Sequence, residues 1–282
     1  MDHYIDRMMH SRARDVGGTL RSRLGLGPDD TVENLIILGT GFGESIAPDP
    51  SVKMRDLGLV FQDVGELHGH DRRAGLATVG GKRCGIISGR YHMGEASMAT
   101  SPSSVRMMVR MQFEMWCALG LKRALLTCGT GGLDDSIAPA GSLVVVRELM
   151  TLFAGQMPLA TGEYVTPSAS IDQNASERIA RALRELKTLR VAQGIYAMVP
   201  GPNVESCHDK GVLQSLGATV VGMSLVPSMC IAALHGVQTV GLAFVTNGPD
   251  GVLSHKQNTL RGAERKDELR ECLEVAARAI FV

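Results

Sequence analysis

Arg90 and His92 stand two apart in Gly89-Arg90-Tyr91-His92-Met93-Gly94-Glu95. They pair a planar guanidinium fork with an imidazole that changes charge near neutral pH. In an extended segment, side chains two residues apart point the same way, so both can face one anion such as phosphate. A solvated arginine followed by a glutamate that caps the next helix accounts for the same residues equally well. Two glycine-rich stretches, Gly39-Thr40-Gly41-Phe42-Gly43 and Gly129-Thr130-Gly131-Gly132, read as turns able to bring backbone N–H groups and a threonine hydroxyl close to an anion. Position 44 is Glu, so the dinucleotide pattern GxGxxG is not completed, and the nucleotide loop GxxxxGK[ST] is absent. Glu205 follows Pro200-Gly201-Pro202-Asn203-Val204 at the expected start of a helix, where the helix dipole favours an acid whatever its function. In Ser224-Leu225-Val226-Pro227 the serine can cap a helix that carries Pro in its first turn. Asn247 places a bidentate amide at the end of an apolar run. His68-Gly69-His70 has no third ligand at close spacing, so zinc is not expected and a hydrogen-bonding surface role is the default.

These groups need a frame, and apolar, β-branched runs supply it. Strands are expected at 34–38, 83–88, 122–128, 142–147, 195–199, 218–223 and 239–246, several of them apolar on both faces, as in a sheet covered on both sides. Amphipathic helices are expected at 104–119, at 170–189, and from about 259 to the C-terminus, where Leu269, Leu273, Ala276 and Ile280 repeat at helical spacing. The alternation predicts an α/β fold in one domain. The stretch 155–170 reads as a surface loop, not a boundary. Ligands of open α/β sheets bind beyond the carboxyl ends of the strands. Six of the groups above fall there, and while each has a structural explanation, their coincidence at one edge does not.

Composition narrows the class. Among 282 residues, 44% are hydrophobic and 21% charged, an ordinary globular mix. Lys plus Arg and Asp plus Glu both number 29, so no global field points to nucleic acid or an anionic membrane. Aromatics at 4% leave little for base-stacking platforms. The six cysteines form no CxxC and read as reduced, mostly core residues. The charged N-terminus lacks a signal-peptide core and no run reaches spanning length, so a soluble cytoplasmic protein is expected.

Read in order, LGTGFG (38–43), GH (69–70), GRYHMGE (89–95), TCGTGGL (127–133), YAMVPGPNVES (196–206), GATVVGMSLVPSM (217–229) and FVTN (244–247) resemble the trimeric purine nucleoside phosphorylase family, which includes the methylthioadenosine phosphorylases. The resemblance runs from about residue 33 to the C-terminus. It implies one domain over 1–282, a central mixed twisted β-sheet flanked by helices, with 1–30 an N-terminal helical segment. It implies phosphate held by Thr40, His70, Arg90, His92, the backbone at Gly129 and Ser224. It implies a purine gripped by Glu205 and Asn247 between Val204 and Met223, and ribose near Tyr91, Tyr196, Met223 and His255. His92, Glu205 and Asn247 would carry the catalysis. The implied reaction is phosphorolysis of a purine nucleoside with inorganic phosphate as co-substrate, no metal or organic cofactor, in purine salvage by a homotrimer. Asn at 247 goes in this family with 6-oxopurines and Asp with 6-aminopurines, so inosine and guanosine are expected. The alternatives are a methylthioadenosine or xanthosine phosphorylase, or a nucleoside-binding protein that has lost turnover.

The chain departs from the family pattern at four places. Cys128, Gly129 and Thr130 replace Asn followed by two Ala. Gly94 replaces an aromatic residue and Val204 replaces Phe. The segment 162–170 is shorter than the one that lends an aromatic residue to a neighbouring subunit.

Overall fold

The computed structural model describes residues 4–43, 45–58, 60–61, 71–95, 100–251 and 255–281. A helix α1 (Arg7–Arg23), capped by the Asp6 carboxylate on the N–H groups of Met8 and Met9, leads into strand β1 (Asn34–Leu38). Then come β2 (Ser51–Lys53), β3 (Arg73–Val79), β4 (Lys82–Ser88) and α2 (Pro102–Cys117). The central part is β5 (Arg123–Gly132), β6 (Leu143–Met150), α3 (Gln173–Leu186) and β7 (Val191–Met198). The chain closes with α4 (Cys207–Ser215), β8 (Val220–Gly222), α5 (Leu225–Leu234), β9 (Gln238–Asn247), α6 (His255–Glu264) and α7 (Lys266–Ile280).

The strands form one mixed sheet in the order β2-β3-β4-β1-β5-β8-β7-β6-β9, and β9 also pairs with β5. The second half of the sheet therefore curls back on itself, with β5 as the seam. β5 runs parallel to β1 over its first residues and parallel to β9 along its length, then meets β8 antiparallel at Gly131 and Gly132. The stretch Gly129–Gly132, read from sequence as a turn, is thus the end of a strand. Its glycines are where the strand changes neighbour, with a register shift between Thr130 and Gly131.

Period-2 alternation divides the apolar runs between two cores. Leu35, Ile37, Leu126, Val144 and Val146 face a core with α1, α2 and α5, whereas Ile36, Leu38, Leu125, Leu143 and Val145 face one with α3 and α7. All ten residues of α5 are buried, so it is an interior helix, not an amphipathic one. The final helix is two, α6 and α7, separated at Arg265 (φ −113°, ψ 20°). No helix among the described residues is long and apolar enough to cross a membrane.

The segment 155–170 is less superficial than its composition suggests. Glu163 is buried and accepts from Arg110 (2.6 Å), from the Ala160 N–H (2.7 Å) and from the Asp6 N–H (2.9 Å). Arg110 in turn pairs with Glu114, and Glu114 with His235 at the end of α5. A buried carboxylate needs such partners, and they tie this segment to α1, α2 and α5 together.

Candidate active site

Three strand ends meet beside β5. β1 ends in Gly39-Thr40, β4 leads to Arg90 and His92, β8 delivers Ser224, and β5 runs alongside. Arg90 is 1% exposed and donates to the carbonyl oxygens of Thr127 and of Ser224 (3.3 Å). Burial pushes its pKa down, yet a guanidinium remains charged in a protein, so the site holds a fixed cation. Gly39 makes room for it: a Cβ there would stand 2.9 Å from Arg90 Nη2 and 2.4 Å from the Thr127 carbonyl oxygen. The Gly39 N–H donates to Thr127 Oγ1 (3.0 Å), which ties the end of β1 to the parallel strand β5 beside the guanidinium. Gly129 and Thr40 are neighbours, since a Cβ on Gly129 would lie 3.3 Å from Thr40 Cβ.

His92 is held at both ring nitrogens. Nδ1 lies 3.0 Å from Glu95 Oε1, which also accepts the His92 backbone N–H (2.9 Å), while the other Glu95 oxygen takes Arg72 Nη2 (2.8 Å). A carboxylate only accepts, so the Nδ1 proton is fixed toward Glu95. Nε2 lies 3.0 Å from Ser224 Oγ. In the neutral imidazole that nitrogen accepts, which makes the serine hydroxyl the donor. Ser224 does occupy the N-cap position of α5, but its hydroxyl makes no capping bond and goes to His92 instead. The expected serine cap is therefore corrected: its oxygen bonds His92, not the helix.

Against the turn that follows β9, α4 starts with a capping box between Ser206 and Asp209, which sets Glu205 just ahead of the helix. Glu205 Oε1 is buried without a hydrogen-bond partner. Burial raises the carboxyl pKa, opposed by its own backbone N–H and the charge of Lys210 and reinforced by Asp209. An orphaned buried acceptor is costly and calls for an explanation. Asn247, at the end of β9 and 6% exposed, donates from Nδ2 to the Gly251 carbonyl (2.7 Å), and its Oδ1 lies 3.1 Å from Thr246 Oγ1. One N–H of the amide and a lone pair on Oδ1 are left for another partner.

The other expected site residues are distributed unevenly. Met223 is half-buried, close to Gly201, while Val204 is exposed. Tyr196 is fully buried in β7, and its hydroxyl accepts the Ser224 N–H (3.0 Å). It supports Ser224 from behind. Tyr91 also points inward. Its ring stacks on Phe61 (5.7 Å) with the Arg72 guanidinium 4.8 Å above it, and Gln112 bonds both its N–H and its carbonyl. His70 lies outside the described residues, and of His255 only the backbone, opening α6, is described. Gly94 packs closely on the Pro200–Pro202 backbone: a Cβ there would stand 3.1 Å from Pro200 O and Pro202 N, so the aromatic residue expected at this position would require that backbone to shift. Cys128, under the cleft, is buried, and burial pushes its thiol up to about 12, so it is not a nucleophile at neutral pH.

Sequence reasoning missed Glu95 as a partner of His92, and it missed Lys210. A signal for the latter was present. Lys210 and Leu213 are the two buried residues of α4, three apart, so the lysine occupies an apolar position of the helix pattern.

Comparisons with known proteins agree with this architecture. Residues 59–280 match the family model described as the phosphorylase superfamily. Among curated relatives, the chain is 28% identical over 257 residues to the purine nucleoside phosphorylase of Mycobacterium bovis, covering 89% of this chain and 90% of that one. It is 28% identical over 223 residues to that of Mus musculus, covering 75% and 74%. Among solved structures, Schistosoma mansoni purine nucleoside phosphorylase in complex with adenosine superposes with a TM-score of 0.78 at 21% identity. Its isoform 2, in complex with cytosine and ribose-1-phosphate, gives 0.80 at 19%. Both cover 95% of this chain and 96% of the other, and they establish the shared fold.

Proposed function

The chain belongs to the phosphorylase superfamily, and from that premise we propose that it is a purine nucleoside phosphorylase acting on 6-oxopurine nucleosides, inosine and guanosine or their deoxy forms. The observation that carries the reading is the buried, unpartnered Glu205 oxygen, which shares its side of the cleft with the Asn247 amide, across from Arg90, His92 and Ser224. A ring N1–H supplies the donor that Glu205 lacks. The remaining N–H of Asn247 meets the purine edge at N7 and the 6-oxygen, both acceptors.

Phosphate sits on the Arg90 side, held by the guanidinium, the Ser224 and Thr40 hydroxyls and His92. His70 is assigned there by resemblance. Charge-assisted bonds replace the water around the anion. One phosphate oxygen forms a bond to C1′ of the ribose while the C1′–N9 bond breaks and its electron pair leaves with the purine. The sugar passes through an oxocarbenium-like state, as in glycoside hydrolysis, which the phosphate charge stabilises from below. Negative charge gathers on the leaving base as the bond stretches, and the Asn247 bond to N7 strengthens with it. That bond lowers the barrier rather than the dissociation constant alone. Glu95, by fixing the proton on Nδ1, leaves Nε2 of His92 free to exchange a proton with phosphate or with Ser224. Met223 lines the base and ribose side.

The same reading places the protein in purine salvage in the cytoplasm as a homotrimer without a metal or organic cofactor. The exposed Leu152, Phe153 and Tyr164 on the segment after β6 supply apolar surface for contact between copies. The test of function is release of hypoxanthine and guanine from inosine and guanosine with and without phosphate. Release that requires phosphate and yields ribose 1-phosphate is the expected result. Release without phosphate, or none at high enzyme concentration, overturns the reading.

A further inference from the structure

Lys210 is a charged residue where its helix otherwise buries leucine. It is 1% exposed, and its ammonium donates to the carbonyl oxygens of Gly248 (2.8 Å) and Gly251 (2.6 Å). The Gly251 N–H donates back to the Gly248 carbonyl (3.1 Å), which closes a tight turn directly after β9. The same Gly251 oxygen receives Nδ2 of Asn247 (2.7 Å). A carbonyl oxygen only accepts, so this one bond determines which end of the Asn247 amide is nitrogen and which way its remaining donor and acceptor face.

We propose that Lys210 is a positioning residue for base recognition: it pins the Gly248–Gly251 turn, and through the Gly251 carbonyl it fixes the orientation of the Asn247 amide. The inference rests on the reading of Asn247 and Glu205 as the groups that meet the purine. A buried ammonium is expensive, and an apolar side chain of similar length would fill the space at lower cost. What the apolar side chain could not do is hold two carbonyl oxygens side by side. Lys210 also lies close enough to Glu205 for each charge to act on the other, so one cation serves both groups of the base side. Without it, Gly248 O and Gly251 O lose their shared donor, the turn relaxes, and the amide of Asn247 is free to rotate. An amide free to rotate presents either a donor or an acceptor to the base, which is the distinction between a 6-oxo and a 6-amino purine edge.

The test is Lys210→Met, which keeps length and removes the donors. Kinetics with inosine and adenosine at saturating phosphate should show kcat/KM for inosine lowered about 10- to 100-fold, with the inosine-over-adenosine ratio narrowed at least about fivefold, as the loss of one or two fixed hydrogen bonds predicts. KM for phosphate should stay within about twofold, because no phosphate-side group is touched. A merely structural role would lower both nucleosides by one factor and leave the ratio intact, and that outcome overturns the proposal, as does an unchanged inosine rate. If the methionine variant does not fold, Lys210→Leu, which also removes the donors that hold Gly248 O and Gly251 O, is read in the same way. Wild-type protein that turns over neither nucleoside sinks the functional reading instead. Lys210 is then read from the side-chain amide NMR signals of Asn247, assigned through Asn247→Ala. They should shift and lose exchange protection in Lys210→Met, and unchanged signals overturn the proposal.

Discussion

The two sides of the cleft are built differently. On the side proposed to hold phosphate, Arg90 is bonded to backbone carbonyls of β5 and of the β8–α5 junction, His92 is clamped between Glu95 and Ser224, and Gly39 is tied to Thr127. Each donor is fixed by strand ends that the whole sheet holds in place. On the side proposed to hold the base, the Asn247 amide hangs on a four-residue turn held by one lysine, and among the described residues one buried oxygen of Glu205 has no hydrogen-bond partner. In the proposed function the rigid side serves phosphate, the reagent that every substrate shares, so preorganisation there helps all of them. The base side is where substrates differ, and its unfilled acceptor and adjustable turn are the cost of recognising one edge over another.

The largest effect should come from Arg90→Gln. Losing the fixed cation should lower kcat/KM by about 10³-fold with inosine and guanosine alike, comparable to removing a preorganised charge-stabilising donor. A loss confined to one nucleoside would break the division between the two sides. Asn247→Asp acts on the other side and should be smaller and selective. A carboxylate oxygen against the Gly251 carbonyl sets acceptor against acceptor, so the side chain must turn away from the carbonyl that Lys210 also holds. Relative kcat/KM for adenosine over inosine should rise about tenfold or more, a factor in the range of one hydrogen bond reversed. Equal relative rates in both proteins would remove Asn247 from base selection.

The smallest effect is thermodynamic. The Glu205 carboxyl is raised by burial, so the stability it contributes is present below its unfolded pKa and is lost as pH rises through the folded value. Glu205→Gln removes the burden of a buried charge. It should stabilise the fold by about 1 kcal/mol at pH 7.5, a gain that disappears below the ordinary carboxylate range, while base release falls. Thermal unfolding across pH measures it. No gain at neutral pH would mean that the orphaned oxygen is solvated and carries no strain for a substrate to relieve.

Much of this was legible in the sequence, because the signals were local. Apolar runs of strand length, glycines at their ends and the residue types just beyond them placed Arg90, His92, Ser224 and Asn247 at one edge of an α/β sheet. The double-sided apolarity of residues 34–38 announced a sheet covered on both faces, and it is. Other matters were settled only by the tertiary structure, since they depend on which strand ends become neighbours. Ser224 reads locally as a helix cap, and its hydroxyl is taken instead by a histidine 132 residues away. The glycines at 129–132 read as a turn, and the pairing of β5 with both β8 and β9 makes them a strand. Tyr91 and Tyr196 read as lining, and the packing of Phe61 and of the Ser224 N–H draws them inward. Lys210 drew no reading from the sequence, and carbonyls 38 and 41 residues further along close over it. Sequence alone determined which groups stand at the strand ends, because periodicity and turn chemistry act over a few residues. The fold decided which of those groups meet, because hydrogen bonds between them span the sheet and no local pattern encodes its strand order.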